Sequence, residues 1–201
     1  KKAKMKTTNP IISQKSNNFT KENIMVSFSG GRTSAYMCWW LKEYMSHLYN
    51  FHFVYANTGL EHQKTLEFVD KVDKYLNLEL TWIETVISKE FGVGEGYTVV
   101  DYETACRGNR LFKNMCSVYG LPNSSFLYCT RVLKTVPIKK FAQDYFGKSN
   151  FRQALGIRFD EPKRYSDNFK EFLQPLAQFT KITKQDVLDF WKVQPFDLEI
   201  E

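Results

Sequence analysis

Four separated stretches hold residue types suited to binding and transforming anions. The first is Ser29-Gly30-Gly31-Arg32-Thr33-Ser34, which follows the apolar run Ile24 to Phe28 and precedes a helix-like run. Adjacent glycines let the backbone turn sharply and bring its N–H groups close to a ligand. The helix after them opens with unpaired N–H donors and the positive end of its dipole, a setting for phosphate or another anion. Ser29, Thr33 and Ser34 add hydroxyl donors, and Ser27 and Arg32 join them as cofactor-binding candidates. An ordinary strand–turn–helix corner competes with this reading, because short glycine motifs recur without function.

The second stretch, Asn57-Thr58-Gly59-Leu60-Glu61, ends another apolar run. Backbone groups from Tyr55 through Ala56 to Asn57 could read an adenine edge, and Asn57 or Glu61 could orient a sugar or a metal; a plain β–α loop is the alternative. In the third, Arg131 and Lys134 lie three apart after Cys129 and so share a helix face. Beside an anion cradle they form a charge clamp; alone they form a solvated basic face. The fourth runs from Gly156 through Arg158 and Glu161 to Arg164. Arginine suits bidentate oxyanion contacts, and Glu161 can hold one arginine in place, unless the set is a surface ion pair.

These stretches need a scaffold. Ile24 to Phe28, Phe51 to Ala56 and Glu79 to Thr85 read as strands. Thr33 to Leu48 and Gln63 to Leu76 read as the helices between them, the second with Leu66, Val69, Val72 and Leu76 at helical spacing. This β-α-β-α-β order predicts a parallel sheet covered by helices. Ligands of such sheets collect at the carboxyl ends of the strands, where the first two stretches fall. Residues 88–103, with Gly92, Gly94 and Gly96, read as a loop. Thr104 to Tyr119 reads as a helix, and Leu127 to Phe146 as a helical region divided by Pro137 or starting near Val136. Phe151 to Ile157 and Phe172 to Leu176 read as strands, and Thr183 caps a last helix from Lys184 to about Trp191. His47 and His52 fall on elements expected in the core, and His62 on a loop.

With 201 residues, 43% hydrophobic and 16% aromatic, the chain fits one domain with a proper core. No apolar run reaches the roughly 18–20 residues that span a bilayer, and the start does not resemble a signal peptide, so a cytoplasmic protein is expected. The net charge of +6 is concentrated in residues 1–21, which hold six lysines and no acid; the remainder has 22 basic and 22 acidic residues. A basic flexible arm (1–21) ahead of a single domain (22–201) follows. Such an arm is a solvated tail or a contact for nucleic acid. Cys38, Cys106, Cys116 and Cys129 make no CxxC pair and read as thiols, Cys38 in the core.

Taken together, the four stretches resemble the PP-loop superfamily of adenine-nucleotide enzymes, and in it the phosphoadenosine-phosphosulfate (PAPS) reductase-like branch with its phage-encoded members. Cys129-Thr130-Arg131-Val132-Leu133-Lys134 and Gly156 to Arg164 match that branch, and Thr183 to Trp191 is similar to its last helix. The resemblance implies a Rossmann-like α/β fold of the adenine nucleotide α-hydrolase type. It also implies ATP or PAPS as ligand, with phosphates on Ser29–Ser34, Mg2+ as a companion, and a thiol or sulfur donor as co-substrate. Arg131, Lys134, Arg158 and Arg164 would neutralise charge in the reaction. The branch splits into enzymes that adenylylate a substrate by cleaving ATP at its α-phosphate and reductases that pass the sulfate sulfur of PAPS to a thiol. Two departures stand out: Thr33 replaces an acid frequent in ATP-cleaving members, and the C-terminal catalytic Cys of true reductases has no counterpart. Cys129 could ligate an iron–sulfur cluster or zinc if further cysteines join it. An enzyme of this branch is the expectation, as a homo-oligomer; a nucleotide-sequestering module and sulfur modification of nucleic acid are the alternatives.

Overall fold

Ile24, Met25 and Val26 are all fully buried, so the first strand, β1 (Glu22–Phe28), runs through the middle of the molecule rather than along an edge. Side chains alternate along a strand. Ile24, Val26 and Phe28 enter one core and Met25 the opposite one, so both faces of the sheet are covered, as parallel sheets require. The computed structural model describes residues 20–88, 95–123 and 128–200. Of the basic arm, only Thr20 and Lys21 fall among these.

β1 pairs in parallel with β2 (Tyr49–Asn57) on one side and β5 (Arg152–Leu155) on the other. β3 (Thr81–Ile87) extends the sheet beyond β2, and β6 (Phe172–Leu173) beyond β5, both in parallel. β4 (Glu95–Val100) closes the β3 edge, so the chain works outward from β1 to β4 and then returns to the far side of β1. The order β4-β3-β2-β1-β5-β6 therefore reverses between β1 and β5, and the strand ends at such a reversal leave a crevice.

Helices α1 (Arg32–Met45), α2 (Gln63–Leu76) and α6 (Lys184–Lys192) bury Met37, Leu41, Phe68, Val69 and Trp191 in the larger core. Trp191 meets the Phe68 ring edge-on at 5.0 Å, and its indole N–H donates to the Arg32 carbonyl at 3.0 Å. Helix α4 (Val136–Phe146) covers the other face with Ile138, Phe141 and Ala142. A smaller cluster joins α3 (Arg110–Tyr119) to Val132 and Leu133. The short helix α5 (Pro175–Gln178) follows β6. Thr183 and Asp186 form the reciprocal capping box that starts α6, and α2 has the expected bounds. Among the described residues no helix is long and apolar enough to cross a membrane.

Three expectations change. Residues 95–100 form a strand, β4 (Glu95–Val100), antiparallel to β3, where a loop was expected. The Gly92 and Gly94 part of that segment lies outside the described residues. α3 begins at Arg110, not Thr104, because Asp101 and Thr104 close a turn on each other and Gly108 adopts φ +108°. The helix around Pro137 does start as expected, at Val136, and a π-helical turn at Arg131–Thr135 leads into it. Pro137 has no N–H to give Leu133, and the Val136 N–H reaches back to the Arg131 carbonyl. α1 also stops at Met45, which leaves His47 exposed rather than in the core.

Candidate anion-binding site

The turn after β1 is built on a glycine that nothing else can replace without strain. Gly30 has φ +84°, and a Cβ there would lie 2.9 Å from Thr65 Cγ2 and 3.2 Å from Tyr55 Cε2. Gly31 is different: open space surrounds its missing side chain, so this face of the turn is free to receive a ligand. Ser34 is buried and braces the turn. Its hydroxyl donates to the Gly31 carbonyl at 2.9 Å and accepts from the Ser29 N–H at 3.1 Å, with the Ser29 hydroxyl 2.9 Å away. The Ala35 N–H makes the first helical bond, to Gly31 at 3.0 Å, so the N–H groups ahead of it at the start of α1 lack intrahelical partners.

β5 delivers the opposite wall. A Cβ on Gly156 would sit 3.0 Å from Ser34 Cα, so the backbone after β5 lies directly against the start of α1. Arg158 follows, its guanidinium donating to the Thr33 hydroxyl at 3.1 Å and to Asp160 at 2.9 Å. Glu161 stands between two arginines, 3.4 Å from Arg158 and 2.6 Å from Arg164. Partial burial alone would raise the Glu161 carboxyl. The hydrogen bonds from Arg164 and from the Arg158 N–H, with the two guanidinium charges, outweigh it and hold the group below the usual Glu range. The turn, Gly156 and the two arginines line a cleft of about 320 Å³ with Lys184 and the apolar Val187, Leu188 and Leu198. Ser29, Gly31, Thr33, Ser34, Gly156, Arg158 and Arg164 are thus brought to one place.

The stretch after β2 forms a neighbouring unit. Glu61 accepts from the Thr58 N–H at 3.0 Å and its hydroxyl at 2.9 Å, and Lys134 lies 3.3 Å away. The Gly59 turn packs on the 106–108 segment, where the Gly108 N–H donates to Gly59 O at 2.7 Å. Arg131 is exposed on the π-helical turn that also carries Lys134.

Several expected roles are corrected. The Asn57 side chain is completely buried and donates to Glu84 at 2.7 Å and to the Cys106 carbonyl at 2.9 Å, so it braces the turn instead of meeting a sugar. Arg32 lines the cleft, and its guanidinium pairs with Asp197 at 2.7 Å and donates to the Leu198 carbonyl, which fastens the C-terminal segment to α1. Ser27 accepts from Gln153 at 2.7 Å, and Ala56 packs against α4. Cys129 flanks the cluster of Leu111, Met115, Val132 and Leu133, and among the described residues no group of three His, Cys, Asp or Glu side chains converges as a metal site.

Sequence reading passed over Glu84 and Lys184. Glu84 is a buried carboxylate that takes the Asn57 amide and the Cys106 N–H and faces Arg110 at 3.5 Å. A lone Glu inside the strand run Trp82-Ile83-Glu84-Thr85 was its signal.

Sheet order, helical layers and a crevice lined by hydroxyls and cations at the reversal define a Rossmann-like α/β protein. The chain belongs to the phosphoadenosine phosphosulfate reductase domain family, which residues 23–195 match. It is also 40% identical over 179 residues to the uncharacterized nin region protein ORF290 of Escherichia phage lambda. That alignment covers 88% of this chain and 61% of the phage protein, so the chain spans less than two thirds of that relative's length.

Proposed function

We propose that the chain is an enzyme that binds an adenine nucleotide with its phosphate or phosphosulfate group between the Gly31–Ser34 turn and Arg158. The observation that carries this reading is the 3.1 Å contact of Arg158 with Thr33, which puts a fork of guanidinium donors over the N-terminus of α1. Helix-start N–H groups and the Thr33 hydroxyl would bind the anion, Arg158 would orient it, and Arg164 and Lys184 would neutralise charge developing on the leaving oxygens. Lys134 would reach the nucleotide from the β2 side by leaving Glu61.

Family membership favours phosphosulfate chemistry: a thiolate attacks the sulfate sulfur, the S–O bond to the nucleotide breaks, and adenosine 3′,5′-bisphosphate leaves. A second thiol then attacks the resulting S-sulfonate, forming a disulfide and expelling sulfite. None of the four cysteines lines the cleft, so an external thiol would supply the nucleophile. Attack on the α-phosphate of ATP, with Mg2+ as charge companion and pyrophosphate as product, uses the same cradle. A binding module without turnover is the second reading, favoured by a cleft whose side chains are hydroxyls, cations and apolar groups with no nucleophile in place.

Titration with PAPS and with ATP plus Mg2+, followed by incubation with dithiothreitol and product analysis, tests these readings. Sulfite with adenosine 3′,5′-bisphosphate supports the reductase, and AMP with pyrophosphate supports adenylylation. Tight binding with no product leaves the binding module, and no binding of either nucleotide overturns the proposal.

A further inference from the structure

Arg32, Arg158, Arg164 and Lys184 all line the cleft. The three arginines are held by acids, and the acids differ in what else fixes them. Asp160, on Arg158, also accepts the Lys184 N–H at 3.1 Å, and Glu161 accepts the Arg158 N–H at 3.2 Å. Both carboxylates are therefore part of the cleft's framework. Asp197, on Arg32, is placed differently. It lies in residues 196–200, which form no helix or strand, and beside Arg32 it accepts the N–H of its own neighbour Leu198 at 2.6 Å. The pair stands at the rim of the cleft, because the same guanidinium donates to the carbonyl of Leu198, itself a lining residue.

As a fastening the Arg32–Asp197 pair is redundant. Phe196 packs against Tyr75, Trp191 and Phe68 with ring centroids 5.4, 5.9 and 6.1 Å away. Glu199 pairs with Lys64 at 2.9 Å, and Leu198 packs on the larger core. The Arg32 and Asp197 side chains are 28% and 38% exposed, and ion pairs in that setting stabilise a fold little. A nucleotide's phosphate chain or phosphosulfate group carries more negative charge than one carboxylate, and its oxygens match both prongs of a guanidinium. Against such an anion Asp197 is the weaker partner for Arg32.

We propose that Arg32 is a further anion-binding residue of the cleft and that Asp197 is its built-in competitor: the ligand's anion displaces the Asp197 carboxylate from Arg32 and frees residues 197–199 from the rim. This inference rests on the anion-binding part of the reading above and needs no recognition of adenine. The guanidinium exchanges one anion for another, so it is never left unpaired. Phe196 stays in its aromatic setting, which confines the movement to the residues after it. Every ligand must break the pair before it can use Arg32, so Asp197 sets a threshold for binding.

The test is calorimetric titration with inorganic pyrophosphate, ATP and PAPS. It compares the unaltered chain with Asp197→Asn, Asp197→Ala, Arg32→Gln and the Arg32→Gln, Asp197→Asn double variant, each checked for folding by circular dichroism. Both Asp197 variants should bind about two- to fivefold more tightly, as expected on removing a partly exposed competitor. Arg32→Gln should bind about tenfold more weakly, and Asp197→Asn should add nothing on that background. Amide hydrogen exchange at Leu198 and Glu199 should quicken when ligand is added to the unaltered chain and be insensitive to ligand in Arg32→Gln. Unchanged or lowered affinity in both Asp197 variants overturns the inference. So does slower exchange at those amides on binding, which would make the segment a closing strap. If pyrophosphate binds with these effects and neither nucleotide binds, the nucleotide reading falls and this inference is supported. If the unaltered chain and Asp197→Asn bind none of the three, both fall.

Discussion

The Arg158 guanidinium donates to the Thr33 hydroxyl across 3.1 Å, although 125 residues separate them in the chain. The contact joins the loop after β5 to the helix that starts after β1, on the two strands between which the sheet order reverses. The candidate site therefore depends on the long return of the chain to the sheet centre.

Arg158→Ala should weaken nucleotide binding by about 10–100-fold, the loss expected for a charge-assisted, two-pronged contact. Arg158→Lys should recover only part of it, since an ammonium cannot reproduce the planar fork. Titration calorimetry on folded variants, checked by circular dichroism, measures both; equal affinity in Arg158→Ala would remove this residue from the site.

Gly30→Ala should destabilise the protein by about 1–3 kcal/mol, because alanine is strained at φ +84° and its methyl would meet Thr65 at 2.9 Å. Gly31→Ala should cost far less, since nothing crowds that position. Urea unfolding of the two variants side by side gives the difference, and similar losses would contradict the geometry of the turn.

Thr183→Ala removes one half of the capping box and should cost about 1 kcal/mol. The effect has a pH signature. Hydrogen bonds from the Thr183 hydroxyl and N–H lower the Asp186 carboxyl, so its contribution is present above the ordinary carboxylate pKa and is lost as pH falls through the depressed folded value. Melting curves from pH 6 to pH 2.5 should show a shallower acid limb in the variant.

His52 is held neutral. Burial lowers its pKa, with Glu79 opposing weakly, and its ring makes a 2.9 Å hydrogen bond with Thr81. Between the lowered folded pKa and the ordinary value near 6.5 the unfolded chain binds more protons, so stability should fall as pH drops below about 6.5. His52→Gln should flatten that slope, as measured by denaturant unfolding between pH 7.5 and 5; an unchanged slope would assign the pH dependence to other groups.

What could be read in the sequence was local. Helical periodicity gave α2 its bounds, Thr183 and Asp186 announced their cap, and the adjacent glycines announced the turn between β1 and α1. What escaped was decided by partners remote in the chain. β4 exists because Thr98, Val99 and Val100 find β3 to pair with, and the preceding glycines masked that β-branched run. Asn57 looked like a ligand contact because its partners Glu84 and Cys106 lie 27 and 49 residues away. Arg32 sits in the loop motif, yet Asp197 claims its guanidinium. A motif fixes which residues are near a site; it does not fix where each side chain points.

Gly156 and Ser34 meet main chain to main chain, with 3.0 Å between Ser34 Cα and the place a methyl would occupy. Where β5 and α1 touch, one wall of the cleft is thus made of backbone that no rotamer change can move. The rest of the lining is side chain, so the width of the cleft and its polarity would be altered together by exchanging Leu188 or Leu198.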